Sequence, residues 1–142
     1  MYATLADILE QVAEAELISL TDDSDAGAVD ETAVDRAVAN GMAVIDAFCG
    51  DRYTVPFDPV PELIRMYAVD LAVYNLYSRR THVDMPEVIA DRQKQALAFL
   101  RLVQKGEASV GAAAIVTPDS SSNSALIPGN ERLFTRDKMR GL

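Results

Sequence analysis

With 142 residues, 49% of them apolar, the chain is long enough to bury one real core, which excludes wholesale disorder. One cysteine and one histidine exclude an intramolecular disulfide and a tetrahedral zinc site built from those residue types. A net charge of −9 argues against broad neutralisation of phosphates, and so against sequence-specific or conventional nucleic-acid binding.

The charge is unevenly placed. Ten acidic residues and no Lys or Arg lie between Met1 and Asp35 (Asp7, Glu10, Glu14, Glu16, Asp22, Asp23, Asp25, Asp30, Glu31, Asp35). The final twelve residues, "ERLFTRDKMRGL", hold four basic and two acidic side chains, so this tail is +2 and the remainder −11. A basic tail on an acidic body suits head-to-tail contact between like subunits; the alternative is an acidic protein with an incidentally basic end. No run approaches the roughly 18 uninterrupted apolar residues of a membrane span. "MYATLADILE" lacks the basic and apolar regions of a secretory signal. No membrane association and a cytosolic product are therefore expected.

The first element is a short helix over residues 5–14. Thr4 is its candidate cap, and Leu5, Ile8, Leu9 and Val12 fall at helical spacing. Leu17, Ile18 and Leu20 carry the chain on to "TDDSDAGAVD", a solvated loop of turn formers and aspartates that lacks the terminal glutamate of a calcium loop. Asp30 caps a second helix whose apolar stripe is Val34, Val38, Met42, Ile45 and Phe48. Its small residues Ala37, Gly41, Ala43 and Ala47 permit another backbone to approach closely. Gly50 is expected to end this helix in the left-handed conformation.

After the proline-rich "TVPFDPVP", Pro61 should open a third helix that runs to about Arg79 and is apolar nearly all round. Pro86 and Glu87 open a fourth, which shows Ile89, Ala96, Leu100 and Val103 on one face and ends near Gly106. The expected fold is therefore all-α, a small bundle of about four helices over residues 1–106. Residues 107–142 lose the helical period and are expected to form an extended or flexible C-terminal arm. Within it, "AAAIV" is a candidate strand for pairing with a partner.

Chemistry has few candidates. Cys49 is the obvious nucleophile, but nothing in the spacing brings the single His82 to it, and a small buried residue at a helix end explains it better. Asp70 lies in the most hydrophobic helix, where an unpaired carboxylate is costly. We expect a structural ion pair with Arg52, ahead of Arg65 at i−5. Tyr67, Tyr74 and Tyr77 fall broadly on one side of that helix. Without a basic surround they read as core packing rather than as a stacking platform for single strands. Phe134, Arg136, Lys138, Met139 and Arg140 read as an anchor that inserts Phe134 into a neighbour's groove. No catalytic group, cofactor or metal ligand set stands out, and the chain reads as no enzyme.

Taken in order, "MYATLADILE", "AELISLTDDSD", "VDETAVDRAVANGMAVIDAF", "GDRYTVPFDPVPELIRMYAVDLAVYNLY" and "LFTRDKMRGL" resemble the head-to-tail connector (neck adaptor) proteins of Mu-like phages and prophages. The resemblance spans all but roughly residues 107–129. It rests most on the "RYTVP...VP" turn, on the tyrosine-rich helix from Tyr67 to Tyr77, and on "FTRD" at Phe134 to Asp137. It implies a virion structural protein of the phage neck, assembled in the host cytoplasm. Such a subunit forms a homo-oligomeric ring, often of twelve copies, beneath the portal protein, and lines the DNA channel. The ring then receives a stopper or tail-completion protein. The family's usual pair before Arg-Tyr is replaced here by "CGD", which makes Cys49 incidental. Two other readings stay open: a tail-completion or stopper protein of the same neck, and a small helical regulatory binding protein.

Overall fold

The computed structural model describes residues 1–115. Five helices follow one another: α1 (Leu5–Leu9), α2 (Glu14–Thr21), α3 (Glu31–Cys49), α4 (Glu62–Ser78) and α5 (Glu87–Lys105). The fold is all-α, and its only β-type pairing among the described residues is an isolated antiparallel bridge between Tyr53 and Ala114.

The expected first helix is in fact a helical hairpin. Thr4 caps α1 through a reciprocal box, its side chain taking the Asp7 N–H while the Asp7 carboxylate takes the Thr4 N–H. The chain then turns and restarts at Glu14 without a side-chain cap. No glycine or proline marks this break, so the apolar period alone reads straight through it. The break exists because it lets Ile8, Val12, Leu17 and Leu20 all reach the core.

Asp30 caps α3 as expected, accepting from the N–H groups of Thr32 and Ala33. Gly50 departs from expectation: it is right-handed, with φ −61°, and continues the helical turn. Its role is space, since a Cβ there would lie 2.9 Å from the Asp46 carbonyl oxygen. The left-handed cap falls instead on Gly106, with φ +82°, at the end of α5. Pro61 is the residue before the first turn of α4 rather than within it, and Pro86 stands in the same place before α5.

Helices α3, α4 and α5 pack as an antiparallel trio, and the α1–α2 hairpin lies against α3 and α4. Asn75 donates to the Ala37 carbonyl oxygen at 3.2 Å, while Gly41 faces Ala68 and Leu71. These two contacts run in opposite senses along the pair, which fixes α3 and α4 as antiparallel. Tyr67 packs on Phe99 with ring centroids 5.0 Å apart, while Asp70, further along α4, lies beside Arg92, earlier in α5, so α4 and α5 are antiparallel too. Of the small residues on α3, Ala37 and Gly41 are buried at this crossing, whereas Ala43 and Ala47 face outward. A Cβ at Gly41 would already approach the Leu71 Cβ to 3.2 Å. Gly41→Val therefore forces the two helices apart. Urea denaturation should show a loss of about 1–3 kcal/mol, the usual cost of overpacking a tight core.

Candidate functional site

The C-terminal end of α3, the N-terminal end of α4 and the C-terminal end of α5 meet at one end of the trio. The chain there must cross from Cys49 to Glu62, and specific contacts hold this irregular crossing in place. Val55-Pro56 and Asp58-Pro59 are both cis. Phe57 is buried and packs between Tyr2 and Tyr53, each ring centroid 5.8 Å away. The Tyr2 hydroxyl donates to the Asp46 carboxylate of α3 and accepts the Phe57 N–H at 2.9 Å. Burial first, and then the bond to Asp46, push the Tyr2 phenol well above its ordinary range. It therefore stays a protonated donor across the physiological range.

Residues 107–115 return over this crossing instead of leading away. Val110 is buried, and the Tyr53 hydroxyl accepts its N–H at 3.4 Å while lying 3.3 Å from Ser109 Oγ. Ile115 N–H donates to the Arg52 carbonyl oxygen at 2.7 Å beside the Tyr53–Ala114 bridge. The short extended segment expected to pair with a partner thus pairs within the chain. Between the crossing and this strap opens a pocket of about 440 Å³, lined by Thr54, Phe57 to Pro61 and Gly111 to Ala113.

The expected Arg52–Asp70 pair does not form. The Arg52 guanidinium lies over Gly106, where an added Cβ would sit 2.5 Å from Nη1. Asp70 is eight residues into α4, about 12 Å along its axis from the end that carries Arg52. It faces the α1–α2 turn and α5 and shares a second pocket of about 360 Å³ with Gln11, Met66, Tyr67, Arg92 and Gln95. Arg92 Nη1 donates to Gln11 Oε1 at 2.8 Å. Proximity in sequence to the start of α4 suggested Arg52. The actual cation comes from the second turn of α5, which no local spacing reveals.

Burial raises the Asp70 pKa, and the Arg92 charge and a Gln11 hydrogen bond only partly oppose it. A carboxyl raised in the folded state costs stability once ionised. That cost begins as pH climbs through the unfolded value and is complete above the folded one. Asp70→Asn should therefore stabilise the protein at pH 7, because it removes the ionised form that burial disfavours. In paired urea titrations from pH 7 to pH 3 the gain should shrink as pH falls.

Cys49 is fully buried, and burial pushes its thiol up to about 11. His82 is exposed beyond the far end of α4, a 17-residue helix that separates the two by about 25 Å. The thiol is therefore held in its protonated, unreactive form at neutral pH. An aromatic disulfide reagent should accordingly label Cys49 no faster than the protein unfolds, and rapid labelling of the folded chain would contradict this burial.

Opposite the crossing, the acidic loop is tied to the end of α4. Asp22 accepts the N–H groups of Ala26 and Gly27, and Asp23 bridges Arg79 and Arg80. The same arginines donate to the carbonyl oxygens of Leu20 and Asp22, each at 2.8 Å in the shorter contacts. Tyr77 donates to Glu16 of α2. Of the three helix-four tyrosines, Tyr77 is buried and Tyr67 and Tyr74 are half-buried, with Tyr67 stacked on Phe99. Among the described residues no group of three or more His, Cys, Asp or Glu can hold a metal ion. No helix of that part is long and apolar enough to cross a membrane. Phe134, Arg136, Lys138, Met139 and Arg140 lie outside the described residues.

Comparison with known proteins places this helical chain among bacteriophage and prophage proteins. It belongs to the family described as Bacteriophage Mu Gp36, which matches residues 2–127. The chain is similar to the Mu-like prophage FluMu protein gp36 of Haemophilus influenzae, with 25% identity over 117 residues. That alignment covers 82% of this chain and 80% of the Haemophilus protein.

Proposed function

We propose that this phage protein is a non-enzymatic virion component, a head–tail connector subunit that assembles into a ring at the portal. In that position the ring extends the DNA channel and presents the attachment site for a stopper or tail-completion protein. The observation that carries this reading is polarity. The bundle is acidic, its C-terminal strap is fastened at one end beside an open pocket, and the chain continues from that end into a tail of charge +2. A ring needs one face of each subunit to complement a different face of the next, and a charged body with an oppositely charged extension supplies such a pair. An acidic wall also suits a DNA conduit, because it repels phosphate and lets the genome slide.

The test is reconstitution of the full chain with the portal protein of the same phage genome, viewed by electron microscopy. A ring coaxial with the portal, with an open central channel, is expected. Binding of duplex DNA at physiological salt with a steep salt dependence, and no ring with the portal, would favour a regulatory protein instead. A complex with tail components alone would favour a stopper.

A further inference from the structure

We infer that the pocket at the α3–α4 crossing is the receptor for the Phe134 segment of a second copy of this chain. The inference rests on the ring reading above and gives it a specific contact. The pocket is prebuilt. Its floor is Phe57, held by Tyr2 and Tyr53, its walls are Pro59, Val60 and Pro61, and its far rim is Ala112. Three prolines and a hydrogen-bonded phenylalanine leave little conformational freedom to lose when something docks, which favours binding. A volume of about 440 Å³ accommodates an aromatic ring with part of its flanking backbone.

Charge narrows the choice of occupant. Asp58 stands at the pocket, and the crossing from Gly50 to Glu62 carries Asp51, Asp58 and Glu62 against Arg52 alone. The matching element is an apolar anchor flanked by cations. Phe134 has Arg132 two residues before it and Arg136 two residues after. No other phenylalanine or tyrosine in the chain is flanked in this way.

Reach is sufficient for a neighbour. Eighteen residues separate Ile115, where the strap ends, from Phe134. Such a length spans about 24 Å as a flexible chain and up to about 60 Å when extended. A 115-residue bundle is about 35 Å across. Because each copy carries both a pocket and a tail, the contact can repeat head to tail from one copy to the next, as the proposed ring requires.

Two full-length variants test this. Phe134→Ala removes the anchor and keeps the pocket. Ala113→Arg, at an exposed rim position, obstructs the pocket and repels the basic tail while keeping the anchor. Both should melt as the wild type does. Wild-type protein should self-associate in analytical ultracentrifugation, and each variant alone should associate at least about tenfold more weakly. Mixed in equal amounts, the variants should form a one-to-one dimer and nothing larger, because only one intact pocket meets one intact tail. A mixture that stays monomeric while Phe134→Ala alone loses melting temperature would show that the tail occupies its own pocket, overturning the inference. Variants that assemble like the wild type would overturn it and leave the ring reading standing. A wild type that never self-associates, alone or with the portal, would remove both.

Discussion

The Tyr2 hydroxyl joins three parts of the chain at one buried point. It donates to Asp46 on α3 and takes the Phe57 N–H from the middle of the crossing, while its ring packs on Phe57. Without it, a buried N–H and a half-buried carboxylate would lose their partner together, a loss worth about 1–3 kcal/mol for each group. Everything at this end depends on that junction. It fixes Phe57, Phe57 seats Tyr53, and Tyr53 receives the returning strap through its hydroxyl and its bridge to Ala114. The pocket is the space these contacts leave open.

The opposite end is held by different means. There the α1–α2 hairpin and its loop are fastened to α4 through Tyr77–Glu16 and through Asp23 with Arg79 and Arg80. Exposed ion pairs of this kind contribute little individually. The carbonyl oxygens of Leu20 and Asp22, taken by the same arginines, give them directional partners as well. Part of the acidic N-terminal region is thus spent on internal fastening, and the rest, including Glu10, Glu14 and Glu31, remains on the surface. The two ends differ accordingly. One is a polar clasp, and the other is an apolar pocket from which the chain continues toward its basic tail. That asymmetry is what the proposed heterologous, repeating contact builds on.

Much of the architecture was legible in the sequence. Asp30, the prolines before Glu62 and Glu87, and Gly106 marked real helix ends, and Gly41 with Ala37 marked the close crossing of α3 and α4. The break between α1 and α2 was not legible, because residues 10–13 contain no breaker and the turn is imposed by packing. Gly50 misled for a related reason. A glycine at a helix end suggests the left-handed cap, yet here it is needed for clearance over the Asp46 carbonyl. Asp70 was rightly read as a buried carboxylate in need of partners. Those partners, Gln11 and Arg92, come from the α1–α2 turn and from α5, and only the assembled bundle brings them together. Tyr2 was missed entirely, since it precedes the helical repeat that begins at Leu5 and so carries no periodic signal. Its one hint was the pair of aromatic residues, Tyr53 and Phe57, in the turn between α3 and α4.

Amide hydrogen exchange, compared between dilute and concentrated full-length protein, bears most directly on whether this end of the bundle is where subunits meet. If it is, protection at high concentration rises at Thr54, Phe57, Asp58 and Val60, at residues 111–113, and around Phe134, while α2 and the loop at residues 22–29 exchange unchanged. Protection gained on α2 and that loop, with the crossing unaffected, would place the contact on the polar clasp and contradict the assignment of the pocket as the docking end.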